Sequence, residues 1–383
     1  MSNVYVIADN IVSPLGVSAA ANFAAVTGGH SGIRLHDNTR LSPAPFYAAL
    51  LSSEQLQAYS AAAGLQGYTK FEQLLILSVS DALFQSGIDI SSPRTAFLVS
   101  TTKGNIELLE QQPDEPRVTE QMELMVTARK VADHFHYTGT PLVISNACIS
   151  GLLAILTAQR LIASGRYDHA VVTGADVVTQ FVLSGFQSFQ AVSPEPCRPF
   201  DADRKGVTLG EGAGTVILSN RKDLAPEGAA MVRAGSVSND ANHISGPSRT
   251  GAELGMAMRL AMLNSGLTPE DIGFVSAHGT ATLYNDEMEA KALHLAGLQD
   301  TPVTSLKGYY GHTLGAAGLI EAIIGIRALQ QQVLIPTSGF AQLGVSMPVK
   351  VIKELEQRPM QHYLKTVSGF GGCNAAVVFS LNA

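Results

Sequence analysis

Short runs of β-branched and apolar residues alternate with longer Ala- and Leu-rich stretches along the chain, which is the pattern of an α/β protein. The runs predict strands at Val4–Ile7, Thr95–Ser100, Pro141–Ser145, His169–Gly174 and Gly214–Ser219. A second series follows at Met231–Ser238, Ile272–Ala277, Thr301–Ser305, Leu334–Pro336, Lys365–Val367 and Ala375–Ser380. Several are almost wholly apolar, as central strands covered by helices on both faces should be. Helices are predicted over Lys70–Gln85, part of Thr119–Phe135, Gly151–Ser164, Ala252–Ser265, Asp286–Ala296 and Gly318–Gln330, with Gly165 and Gly266 placed as stops. The polar, Pro-interrupted segment Glu110–Arg117 reads as a surface loop.

A weak repeat runs through this pattern. GLLAILTAQRLIASG from Gly151 and GLIEAIIGIRALQQQ from Gly318 each follow a strand and a small-residue turn, with Arg160 and Arg327 at the same offset. Two ordinary buried helices could share these features. The polar junction Arg221–Gly228, slightly past the middle of the chain, favours the other reading: two related α/β halves, residues 1–225 and 226–383. A length of 383 residues suits two domains or two fused halves.

Composition narrows the class. Charged residues make up 15% of the chain, against roughly 25% in an average globular protein. Few charges imply much buried surface and a large oligomer interface, and they exclude disorder. A net charge of −7 argues against bulk nucleic-acid binding. Three irregularly spaced cysteines make no disulfide framework and no zinc site on their own. The opening MSNVYVIADNIVSPLG lacks the basic start of a secretion signal, and no apolar run approaches the roughly 18–20 residues that span a bilayer. The chain therefore reads as cytoplasmic.

The candidate chemistry sits at strand-to-helix junctions. PLVISNACISG reads as a buried strand, a tight turn at Ser145–Ala147, then Cys148 at a helix start, where unpaired amides and the helix dipole favour a thiolate. A small buried hydrophobe is the competing reading of Cys148. His278 follows a strand in IGFVSAHGTATLYNDEMEA, with Thr280, Thr282, Asp286 and Glu289 behind it. TSLKGYYGHTLGAAGLIEA repeats the arrangement with Lys307 and His312. Ligand groups gather at such strand ends in open α/β sheets. GFGGCN at Gly369–Asn374 is either a turn that aims amides at an oxyanion or an ordinary Gly-rich hairpin.

Taken together these segments resemble the β-ketoacyl-[acyl-carrier-protein] synthases, the decarboxylating branch of the thiolase superfamily. The resemblance rests on IVSPLG at Ile11–Gly16, GGHSGI ending at Ile33, NACISG at Asn146–Gly151 and RPFDADRKGVTLGEGAG at Arg198–Gly214. It continues through HGTATLYNDEMEA at His278–Ala290, LKGYYGHTLGAAG at Leu306–Gly318 and GFGGCN. It implies a thiolase-like fold, two similar halves in a five-layered α-β-α-β-α arrangement. It further implies that Cys148 accepts an acyl group from a phosphopantetheine thioester and that His278 and His312 serve decarboxylation and condensation. By the same resemblance Lys307 holds charge beside them with Glu289 as its buried partner, and the amides of Cys148 and Phe370 form the oxyanion hole. Phe370 would also gate the acyl pocket, and Thr280 and Thr282 would contact the pantetheine arm. No cofactor or metal is expected; acyl carrier protein is the expected partner, in a homodimer or a heterodimer.

Departures from the family pattern concern specificity. Ile149, Leu283, the Tyr309–Tyr310 pair and Cys373 replace other residues, and the stretch between Thr102 and Cys148 is short. The shortening points toward a specialised fatty-acid-like or polyene-type polyketide pathway. A thiolase would want a second catalytic cysteine, for which Cys373 is the candidate. A chain-length-factor-like partner subunit would lack the nucleophile that Cys148 supplies. Asp201, Arg204 and Glu211 are expected to brace the site wall, and Arg204 with Lys205 is either a docking point for an acidic carrier or a solvated basic pair.

Overall fold

The computed structural model describes residues 3–112, 116 and 118–382. Its first half runs β1 (Tyr5–Val12), α1 (Lys70–Ser86), β2 (Thr95–Ser100), α2 (Leu124–His134) and β3 (Leu142–Ile144). It continues through α3 (Ser150–Ala163), β4 (His169–Asp176), α4 (Gln180–Ser188) and β5 (Gly212–Ser219). The second half begins β6 (Ala230–Asn239), α5 (Ala252–Ser265), β7 (Phe274–Ser276) and α6 (Leu283–Leu295). It ends with β8 (Pro302–Thr304), α7 (Ala317–Gln330), β9 (His362–Gly369) and β10 (Cys373–Leu381).

The halves share one topology. The first sheet has the order β1-β5-β4-β2-β3 and the second β6-β10-β9-β7-β8, with Lys350–Val351 added at its edge. In each, the first two pairings are antiparallel and the next two parallel. A narrow seam joins them, with Tyr5 registered against Met231. Helices α3 and α7 fill the space between the sheets, α1 and α2 cover the first sheet outside, and α5 and α6 cover the second. Two similar helix-and-sheet halves are thus stacked in five layers.

The repeat seen in the sequence is the contact between α3 and α7. A Cβ on Gly318 would lie 2.9 Å from the Leu152 amide nitrogen and 3.0 Å from its Cβ, and one on Gly151 would lie 2.9 Å from the Leu319 nitrogen. Two glycines therefore let the central helices touch backbone to backbone. The paired arginines are used reciprocally: Arg327 of α7 binds Asp9 on β1, and Arg160 of α3 reaches the Gly235 carbonyl on β6 at 3.5 Å. Gly318→Ala tests the packing. Alanine favours helix by about 1 kcal/mol, but overpacking a close contact costs about 1–3 kcal/mol. The clash is against backbone, which cannot swing away, so chemical denaturation should show a net loss of stability.

Several expectations need correction. Pro141–Ser145 is not a buried strand: β3 is a three-residue edge strand, and Leu142 is 37% exposed. Leu334–Pro336 does not join the main sheet; Val333–Leu334 pairs only with Glu356–Gln357 in a small ribbon. Glu110 lies in a helical turn, Leu108–Gln111, where its carboxylate accepts from the amides of Gln180 and Phe181 and so caps α4. Residues 113–115 and 117 of that expected loop lie outside the described residues. Three further helices are present beyond those expected: Ala19–Thr27, Ser53–Ala62 and α4 are short, at nine or ten residues each.

Candidate active site

Cys148 sits between β3 and α3, on a turn that the sequence forces. Ala147 has φ of +42°, a left-handed conformation that a non-glycine residue adopts only under local constraint. The constraint comes from Ser150, whose hydroxyl accepts from the Asn146 amide at 2.8 Å and donates to the Ala147 carbonyl at 2.6 Å. Cys148 is thereby held at the start of α3, buried but opening on a cleft. The helix-dipole expectation of a thiolate does not hold at rest. Burial pushes the Cys148 thiol up to about 12, with the neighbouring Cys373 adding to it, while Lys307, Lys103 and the Phe370 amide pull it down. The resting group is a neutral thiol, 3.0 Å from Nε2 of His312.

His312 is positioned by the RPFDADRKGVTLGEGAG segment. Its amide donates to the Thr208 carbonyl at 2.7 Å, and its own carbonyl accepts from Gly210 at 3.0 Å. Gly311 (φ +65°) has no room for a Cβ, which would strike the Leu209 carbonyl. Nδ1 of His312 is buried without a hydrogen-bond partner among the described residues, so the bond to Sγ governs where the ring proton sits. His278 stands at the end of β7, its ring 5.1 Å from that of His312 and nearly perpendicular to it. Ligand atoms of Cys148, His278 and His312 all lie within 4.8 Å of one another. Burial, and then the charge of Lys307, holds both imidazoles well below their ordinary value. Both rings are neutral at pH 7.

Lys307 corrects one expectation. Its ammonium pairs with Glu321 of α7, not with Glu289, and approaches Nδ1 of His278 at 3.4 Å. An ammonium can only donate, so His278 carries its own proton on Nε2, the nitrogen left for the cleft. Glu289 is saturated elsewhere. Its carboxylate accepts from the amides of His278 (2.8 Å) and Gly279 (2.6 Å), from Asn285 (3.0 Å) and from Thr366 (3.2 Å). It fixes the His278 loop instead of a charge partner. Glu321 also binds a second buried lysine, Lys365 of β9, at 2.7 Å. Neither Glu321 nor Lys365 was found in the sequence; the available signal was a charge inside the apolar runs GLIEAIIG and YLKTVSG.

A cleft of about 450 Å³ leads to the three side chains. Thr280 and Thr282 line it, and their hydroxyls are 2.9 Å apart, with Thr282 also capping α6. Phe370 stands at the cleft wall, 37% exposed, stacked on Phe186 at 5.5 Å and edge-on to Phe189 at 5.6 Å. Its amide is turned toward Cys148 Sγ. Cys373 is buried away from the cleft, behind Gly369, with its thiol near the Phe370 and Asn146 carbonyls. No base adjoins it. Arg204 is buried and donates to the carbonyls of Asp201 and Gly344, so only Lys205 of that pair is exposed, bound to Glu195. Asp201 accepts from the amides of Ala341 and Gln342, and Glu211 accepts from Leu51 and Val178 while pairing with Lys70.

Comparison with known proteins agrees with this arrangement. Residues 1–224 match the β-ketoacyl synthase N-terminal domain and residues 229–341 the β-ketoacyl synthase C-terminal domain. A 3-oxoacyl-[acyl-carrier-protein] synthase 2 of Vibrio cholerae is 32% identical over an alignment covering 96% of both chains. That alignment spans 410 positions, more than this chain contains, so the relative has residues with no counterpart here. Among solved structures, a β-ketoacyl synthase from Burkholderia phymatum superposes with a TM-score of 0.87 at 25% identity, covering all of both chains. The ishigamide ketosynthase/chain length factor shares the fold, with a TM-score of 0.89 at 23% identity and full coverage of both chains. The chain belongs to the β-ketoacyl synthase family, and its complete Cys–His–His set makes it an active condensing member and not a subunit that has lost the nucleophile.

Proposed function

We propose that this enzyme condenses a Cys148-bound acyl group with malonyl-acyl carrier protein to give a 3-oxoacyl product, in the cytoplasm. The observation that carries the reading is the 3.0 Å contact of Cys148 Sγ with His312 Nε2, beside a second imidazole whose tautomer Lys307 sets. Sγ attacks the incoming thioester carbonyl, and its proton passes through His312 to the departing pantetheine thiol. The amides of Cys148 and Phe370 receive the oxyanion. Malonyl thioester then replaces the first arm along the cleft wall that Thr280 and Thr282 line. Its carboxyl carbon–carbon bond breaks, carbon dioxide leaves, and the electron pair enters an enolate that the Nε2–H of His278 stabilises. His312 joins it after its single proton shifts from Nδ1 to Nε2 by exchange with solvent, since acylated Cys148 no longer donates to that nitrogen. The carbanion attacks the acyl-cysteine carbonyl, and collapse expels the Cys148 thiolate, which takes a proton from water.

Phe370, on its aromatic stack with Phe186 and Phe189, is suited to open and close the acyl side as the two arms exchange. The short stretch between Thr102 and Cys148 supports a specialised fatty-acid-like or polyene-type substrate. Exposed β3 and the low charge content suit a homodimer or a heterodimer with a related subunit. Intact-mass spectrometry after incubation with a panel of acyl-carrier thioesters tests the reading. The expected result is one acyl mass added at Cys148 for a restricted set of chains. No acylation by any carrier thioester, with or without a partner subunit, overturns it.

A further inference from the structure

We infer that Lys365 is a positioning residue of the decarboxylation half-reaction, acting through Glu321 and Lys307 on His278. The inference rests on the proposed function above and assigns a role to a side chain outside the Cys–His–His set. Lys365 lies on β9 directly opposite Ser276, the last residue of β7, two positions before His278. Its side chain is fully buried. Three carbonyls accept from its ammonium, those of Thr366 (2.9 Å), Ser276 (3.0 Å) and Ala277 (3.2 Å), and Glu321 Oε2 lies 2.7 Å away as an ion-pair partner without hydrogen-bond geometry. An ammonium has three protons, so none remains for a substrate. Lys365 does not line the cleft, and it cannot be a catalytic group.

Its partners show what it can do. Glu321 is shared, one oxygen with Lys307 and the other with Lys365, and Lys307 in turn faces His278 Nδ1. The chain Lys365–Glu321–Lys307–His278 is continuous and buried throughout. Without Lys365, Glu321 has one ammonium partner and a free rotation, and Lys307 loses the fixed anchor that aims it at the imidazole. The two carbonyls at the end of β7 lose their donor at the same time, which loosens the strand that delivers His278. Buried ionic groups of this kind are costly to strip singly, and a registry role is their best-attested use.

Lys365 also sets the field around both rings. The charged and titratable groups facing His278 and His312 are Lys307, Lys365, Glu321 and Glu289 on one side, with Cys148 and Lys103 on the other. Lys365 depresses both imidazoles, in the same direction as burial and Lys307. Removing it therefore raises their values and brings protonation nearer to neutral pH. A protonated His278 would push Lys307 out of position by like-charge repulsion.

The test separates the half-reactions in the full chain. Malonyl thioester decarboxylation and Cys148 acyl loading are measured from pH 5 to 9 in the unaltered chain, Lys365→Met and Lys365→Arg. For Lys365→Met the expected result is at least about tenfold slower decarboxylation, loading within about threefold, and an acid limb displaced upward by about one pH unit. Lys365→Arg keeps the charge and should keep the acid limb in place, even where its larger head group slows the reaction. Where Lys365→Met does not fold, a displaced acid limb in Lys365→Arg overturns the inference. An unchanged profile in a folded Lys365→Met, or equal loss of both half-reactions, also overturns it. Absence of decarboxylation in the unaltered chain would overturn the proposed function together with it.

Discussion

Cys148→Ala is expected to abolish acyl-enzyme formation and to lower condensation by on the order of 10⁴-fold or more, since no other group takes over from a lost nucleophile. The other two thiols cannot substitute. Cys197 is buried with its Sγ against the Lys307 carbonyl, and Cys373 is buried behind Gly369, away from the cleft. Neither has an imidazole within hydrogen-bond reach, whereas Cys148 touches His312. The fold should survive, because the thiol contributes one hydrogen bond at the inner end of an open cleft and removing it opens no closed cavity. Intact-mass spectrometry with an acyl-carrier thioester, beside thermal unfolding of the same preparation, checks both statements. A persistent acyl adduct mapped to Cys373 or Cys197 would sink the assignment and revive a thiolase-like reading.

How much of this was legible beforehand depends on range. Strands such as Thr95–Ser100 and helices such as Ala252–Ser265 were readable because their local pattern matches their burial. The duplication was also readable, since Gly151 and Gly318 both mark the one place where two central helices must touch. β3 departs from the expected buried strand because an apolar run looks the same at a sheet centre and at an exposed edge. Cys148, His278 and His312 stood out because each ends a strand in small-residue surroundings. The partner of Lys307 did not, because Glu289 and Glu321 are equally plausible in one dimension. Only the packing of α7 against β9 brings Glu321 between two lysines, while α6 turns Glu289 toward the amides of its own loop. The direction of the Cys148 shift was likewise hidden, since dipole and burial oppose each other and the depth of burial decides the winner.

The two histidines should separate by substitution, because they touch different things. His278→Ala is expected to slow malonyl decarboxylation by about 10²–10³-fold, the cost of one oxyanion donor, while acyl loading stays within a few-fold. His278 contacts Lys307 and His312 but makes no bond to Sγ, so the thiol has no reason to depend on it. His312→Ala should slow both half-reactions, because the same Nε2 accepts the Cys148 proton in loading and donates to the enolate later. The pH dependence follows with a definite sign. An imidazole is neutral above its pKa, and both values lie well below the ordinary 6.5 because burial and Lys307 disfavour the cation. Decarboxylation by the unaltered enzyme should therefore stay flat from about pH 8 to about pH 6, where an unperturbed histidine would already be mostly charged. A fall centred at pH 6.5 would mean that the rings are solvated in the working enzyme. Equal loss of loading and decarboxylation in His278→Ala would instead mean that it holds the nucleophile, and the division of labour between the two rings would have to be abandoned.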